Sequence, residues 1–95
     1  MKLRVLPRAL RDLATIRDDI SADDSNAAAR VALAIVQTFE MLARNPGIGR
    51  PTERESVREW TAPGLPYLIP YRINGDFIEI LRVFPPRRRR PPDWG

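Results

Sequence analysis

The chain has 95 residues, 43% of them hydrophobic and 29% charged, with a formal net charge of +4 and neither cysteine nor histidine. That balance fits one folded domain and excludes a disulfide framework, a thiolate metal site and a histidine general base. No run of 18 apolar residues is present for a membrane span, and MKLRVLPRAL at the start lacks a signal-peptide core, so the expectation is a cytoplasmic protein without membrane contact.

Charge is unevenly placed. Residues 1–48 hold seven basic and six acidic side chains, and residues 49–95 hold nine and six. Lys2 is the single lysine, and four arginines stand together at Arg87, Arg88, Arg89 and Arg90. Two readings of this excess compete: the codon bias of a GC-rich genome, and an anionic partner such as nucleic acid or an acidic protein surface.

In chain order, KLRVL at residues 2–6 alternates and stops at Pro7, as a short strand does. Pro7 suits a first helical turn, and Ala9, Leu13, Ile16 and Ile20 then recur at helical spacing. That helix should end near Ile20 or Ser21. Asp23, Asp24 and Ser25 are candidate caps for a second helix, whose stripe is Ala28, Val31, Ile35, Phe39 and Leu42. Asn45-Pro46-Gly47 stops it. The two helices are narrow-striped and rich in alanine, enough to cover one face of a small sheet.

Residues 46–51 (PGIGRP) read as a stiff loop, with Gly47 and Gly49 as turn residues and no phosphate-binding glycine motif. Residues 56–62 (SVREWTA) read as a strand with Val57, Glu59 and Thr61 on one side, and Arg58 and Trp60 on the other. Trp60 suits either a core or an interface.

Residues 67–84, YLIPYRINGDFIEILRVF, form the most legible stretch: two apolar runs flanking Asn74-Gly75, the dipeptide favoured in a type I′ turn. A two-residue Asn74-Gly75 loop sets Tyr71 opposite Ile78 and Ile69 opposite Ile80. One face then carries Tyr67, Ile69, Tyr71, Ile73, Ile78, Ile80, Arg82 and Phe84. The other carries Leu68, Pro70, Arg72, Phe77, Glu79, Leu81 and Val83. Pro70 donates no ladder bond and belongs at an edge or a bulge. The expected fold is α+β, in the order β-α-α-β-β-β: a helical hairpin packed on one face of a small, mainly antiparallel sheet. Residues 1–84 form the domain, and residues 85–95 a proline- and arginine-rich tail ending near Trp94.

Three segments together carry a resemblance: LARNPGIGRP at 42–51, VREWTAPGLPYLIPYRI at 57–73 and GDFIEILRVF at 75–84. The chain resembles the ParE/RelE superfamily of type II toxin–antitoxin toxins, most closely the ParE branch. The resemblance implies a helical hairpin on a curved antiparallel sheet. It also implies a toxin of a plasmid-stabilising type of system, held in a hetero-oligomeric complex by a ParD-like antitoxin, with DNA gyrase as its target. Its RelE branch implies instead a ribosome-dependent mRNA endonuclease, with arginines of the last two strands at the scissile phosphate.

Arg72 and Arg82 match those two strands. Simple alternation puts them on opposite faces unless a bulge intervenes, and Arg72 has a competing role as the ion-pair partner of Glu79. RNA cleavage also needs a base and an acid. Lys2 lies in the first strand, Tyr67 and Tyr71 share the isoleucine face and read as core, and Glu53, Glu55 and Glu59 read as solvated. No cofactor or metal is expected, and catalysis is disfavoured against inhibition by binding.

The face carrying Leu68, Arg72, Phe77, Leu81 and Val83 is expected to lack cover and to receive the antitoxin. The competing reading is that the C-terminal tail covers it. Arg87, Arg88, Arg89, Arg90 and Trp94 are candidates for target binding. The four arginines have two other readings, a solvated tail and a contact to DNA phosphates. A nucleic-acid-binding module and a non-toxic family member remain alternatives.

Overall fold

A computed structural model describes residues 1–85. Pro7 sits at the start of α1 (Pro7–Ser21), after the four-residue strand β1 (Lys2–Val5). α2 (Ser25–Arg44) begins where Asp24 accepts hydrogen bonds from the backbone N–H groups of Asn26 (3.0 Å) and Ala27 (3.1 Å). This side-chain cap satisfies two of the donors that a helix start leaves open. Asn45 ends α2, its side-chain amide donating to the Met41 carbonyl at 3.0 Å. The N-terminal ammonium donates to the Ala43 carbonyl at 3.0 Å, placing a positive charge at the negative end of the α2 dipole.

Four more strands follow: β2 (Arg50–Pro51), β3 (Val57–Thr61), β4 (Leu68–Asn74) and β5 (Phe77–Ile80). The sheet order is β1-β5-β4-β3-β2, antiparallel except where β1 runs parallel to β5. The expected architecture holds, with one strand added. β2 has only two residues, one of them a proline, too short for any alternation to announce it.

The β4–β5 turn is shifted by one residue from the expected loop. Asn74 pairs with Phe77, so Gly75-Asp76 is the loop. Gly75 has φ +59° and Asp76 is not in the positive-φ region. Glycine first, with an ordinary residue second, is the pattern of a type II′ turn. The shift moves both strands together and keeps the parity, so the face assignments near the turn stand: Tyr71 still shares a side with Ile78 and Ile80.

Parity breaks further along. Tyr71 pairs with Ile80, but Leu68 pairs with Phe84. Three steps along β4 are matched by four on the other strand, which is a β-bulge. It lies opposite Pro70. The Leu81 N–H donates to the Pro70 carbonyl at 2.9 Å, and proline has no N–H to return. A central strand tolerates this proline because its missing donor falls where the ladder changes step.

The bulge moves Val83 to the helical side, correcting its expected place beside Leu68 and Leu81. The core lies between the helices and the sheet. Ile35, Phe39 and Leu42 of α2 and Ala9 and Ile16 of α1 pack on Ile69, Tyr71, Ile78, Ile80 and Val83. Trp60 packs against the same cluster, on the core side of its two readings.

Candidate functional site

The sheet face turned away from the helices carries charges in cross-strand rows. Arg4, Glu79 and Arg72 occupy matched positions on β1, β5 and β4. Glu79 is only 3% exposed. Its carboxylate accepts from Arg72 Nε at 2.7 Å, Arg4 Nη1 at 2.9 Å and Asn74 Nδ2 at 3.4 Å. The hydrogen bond from Arg72 is the main cause that lowers its pKa below the usual carboxylate range; burial opposes it, and Arg4 adds to it. Arg4 also stacks 3.8 Å over the Phe77 ring. In a second row, Glu59 is buried rather than solvated, and accepts from Arg50 Nη2 at 2.9 Å. Its place on the Val57 side of β3 was the signal for that burial.

Glu79 makes stability depend on pH in a definite direction. A carboxyl whose folded pKa is depressed contributes stability above its unfolded value, about 4.3, and loses it as pH falls through the folded value. Acid unfolding monitored by circular dichroism should therefore steepen below about pH 4, and Glu79→Gln should flatten that limb while lowering stability at pH 7 by about 1–3 kcal/mol.

Arg82 is held elsewhere. Its guanidinium grips Asp12 of α1 through Nε (2.7 Å) and Nη2 (3.1 Å), and the same carboxylate accepts the Val83 N–H at 2.9 Å. Asp12 thus satisfies a backbone donor freed by the bulge and neutralises an arginine whose side chain is 18% exposed. The hydrogen bond to Asp12 raises the Arg82 pKa. No periodicity marks Asp12 for this role; it lies at the rim of the α1 stripe.

The residues 46–49 loop is clamped from below. The Tyr71 hydroxyl accepts the Gly49 N–H at 2.8 Å and donates to the Pro46 carbonyl at 2.8 Å. Burial of Tyr71 raises its pKa, opposed by the Gly49 bond and by Arg58. Arg58 Nη1 donates to the Gly49 carbonyl at 2.7 Å. Gly49 is a close-approach glycine rather than a simple turn residue: a Cβ there would lie 2.5 Å from the Tyr71 hydroxyl. The clamp holds the loop while Ile48 remains 44% exposed at its tip.

The expected uncovered apolar face is not found as such. Leu68, Leu81 and Val83 are all buried, at 3%, 1% and 1% exposure. Leu81 packs with Val57 and Leu6, and Val83 has joined the helical core. Of the five residues assigned to that face, Arg72 and Phe77 keep substantial solvent contact. Arg72 and Arg82 are not brought together, since one serves Glu79 and the other α1. Arg87, Arg88, Arg89, Arg90 and Trp94 lie outside the described residues. Among the described residues, no group of three or more potential ligands could hold a metal ion, and no helix is long and apolar enough to cross a membrane.

Comparison with known proteins agrees with this geometry. Residues 3–90 match the family model of the ParE toxin of the type II toxin–antitoxin system parDE. A protein of Sinorhizobium fredii whose name describes a toxin, Y4kP, is 42% identical over 90 residues, spanning 95% of this chain and 93% of the relative. A chain of the chromosomal ParDE toxin–antitoxin system of P. aeruginosa superposes with a TM-score of 0.80 at 32% identity, covering 90% of this chain and 95% of that one. A chain of the RelBE2 toxin–antitoxin complex of Mycobacterium tuberculosis gives 0.65 at 27% identity, covering 88% and 95%. With its helical hairpin, its five-stranded sheet and these matches along nearly all its length, the chain belongs to the ParE family of toxins of type II toxin–antitoxin systems.

Proposed function

We propose that this ParE-family chain arrests growth by binding DNA gyrase, carries out no chemistry of its own, and is neutralised by a ParD-like antitoxin in a hetero-oligomeric complex. The observation that carries the reading is the commitment of its arginines. Arg72 is bonded to the buried Glu79, and Arg82 to Asp12 on α1. A nuclease of this architecture needs both cations free at one phosphate, with a proton donor and acceptor beside them. Here Arg82 is neutralised by Asp12, Arg72 shares the single charge of Glu79 with Arg4, and the two guanidiniums are kept apart. Tyr71 is fully buried with its hydroxyl engaged on both sides. Histidine is absent.

The antitoxin is supported by the neighbouring structures, which are toxin–antitoxin assemblies. Arg72 and Phe77 are the members of the expected antitoxin-facing set that remain accessible to it. The match to the ParE family model supports gyrase as the target. Purified chain added to a gyrase supercoiling reaction should inhibit it at concentrations that arrest growth, and equimolar antitoxin should restore it. Supercoiling that proceeds normally at those concentrations would refute the target.

A further inference from the structure

Between α1 and the chain that leaves β5 lies a half-open cavity of about 160 Å³. Ile16, Ile20 and Val83 give it apolar walls, and Thr15, Asp19 and Tyr67 supply polar groups not already used. Asp12 and Arg82 also line it, but they neutralise each other. Tyr67 is 9% exposed, and its hydroxyl has no hydrogen-bond partner among the described residues. The hydroxyl is not sealed from solvent; it opens on the cavity, where a ligand can reach it. Burial first, and the nearby Asp19 charge second, raise the Tyr67 pKa, so the hydroxyl stays protonated.

Asp19 has no ion-pair partner among the described residues and sits near the end of α1, which has no basic side chain in its last turn. A carboxylate at a helix C-terminus is unfavourably placed, because the dipole there is also negative. Asp18, which pairs with Arg17 at 3.5 Å, Asp23 and the α2 cap Asp24 are nearby in the chain, so this end is net acidic on a protein of net charge +4. Asp19 is exposed at the cavity rim, so an anionic ligand is repelled there and a cationic one is attracted.

We propose that this cavity receives one long basic side chain from a partner polypeptide. Its apolar stem lies on Ile16, Ile20 and Val83, and its cationic head is held between the Asp19 carboxylate and the Tyr67 hydroxyl. The identity of the donor rests on the antitoxin reading above, under which the antitoxin supplies that side chain.

The test is a ¹H–¹⁵N NMR titration of the full chain with n-butylguanidinium, with n-butanol as the neutral probe of the same stem. Saturable shifts are expected at the Ile16, Ile20 and Val83 amides, with n-butanol binding at least about tenfold more weakly. That ratio corresponds to the loss of one charge-assisted contact worth about 1.4 kcal/mol. Asp19→Asn and Tyr67→Phe, which keep the size of each side chain, should each weaken binding severalfold while the remaining spectrum is unchanged. Absence of saturable shifts, equal binding of the two probes, or indifference to Asp19→Asn would overturn the site. A chain that binds the probe but leaves gyrase untouched loses its target and keeps its cavity. One that inhibits gyrase but ignores the probe loses only the cavity.

Discussion

Asp12→Ala should lower the stability of the chain by about 3 kcal/mol, the scale for breaking a largely buried ion pair by removing one partner. Two groups lose their acceptor at once: the Arg82 guanidinium, whose side chain is 18% exposed, and the Val83 N–H of the bulge. For a domain of this length that corresponds to a fall in Tm of roughly 12–24 °C. Asp12→Asn should cost less, because its side-chain oxygen can still accept from Val83. Thermal unfolding of the two variants, with Arg82→Ala and the Asp12→Ala/Arg82→Ala double variant, completes a cycle. A coupling energy near zero would show that the bidentate contact contributes nothing.

The second large effect is at Gly49. An alanine methyl there would lie 2.5, 2.7 and 2.9 Å from three atoms of the Tyr71 side chain. Tyr71 is completely buried, so it has no solvent to swing into. Gly49→Ala should therefore cost about 3 kcal/mol through overpacking, and displace the residues 46–49 loop. Tyr71→Phe removes the hydroxyl but not the ring. It should cost about 1–2 kcal/mol by orphaning the Gly49 N–H, and should rescue Gly49→Ala only in part. Denaturant unfolding of the single and double variants reads both effects; full additivity would contradict the steric account.

The two effects show where the sequence was informative and where it was not. Helical spacing placed α1 and α2 closely, and Asp24 was among the expected caps. The alternation in residues 67–80 put Ile69, Tyr71, Ile78 and Ile80 on the helical face, because period-two patterning survives a shift of the turn from Asn74-Gly75 to Gly75-Asp76. It fails at a bulge, where one inserted residue reverses every later side chain. Val83 was misplaced for that reason, although Pro70 marked the spot on the facing strand. The role of Asp12 went unseen and Gly49 was read only as a turn residue, because both roles are tertiary. One answers a backbone donor 71 residues away in the chain, and the other yields space to a tyrosine 22 residues on. The pairing of Arg72 with Glu79 was open to a local reading, since hairpin neighbours on one face are few. The burial of Glu59 was signalled only by its place on the Val57 side of β3, and its partner Arg50 needed the sheet as a whole.

Under the proposed function, Arg72 and Arg82 hold the fold together rather than cut RNA. This is tested most directly by mapping mRNA 5′ ends genome-wide after the chain is induced without its antitoxin. The account predicts growth arrest with no new ends within translated codons. New ends that vanish in both Arg72→Ala and Arg82→Ala, with each variant still folded, would contradict it.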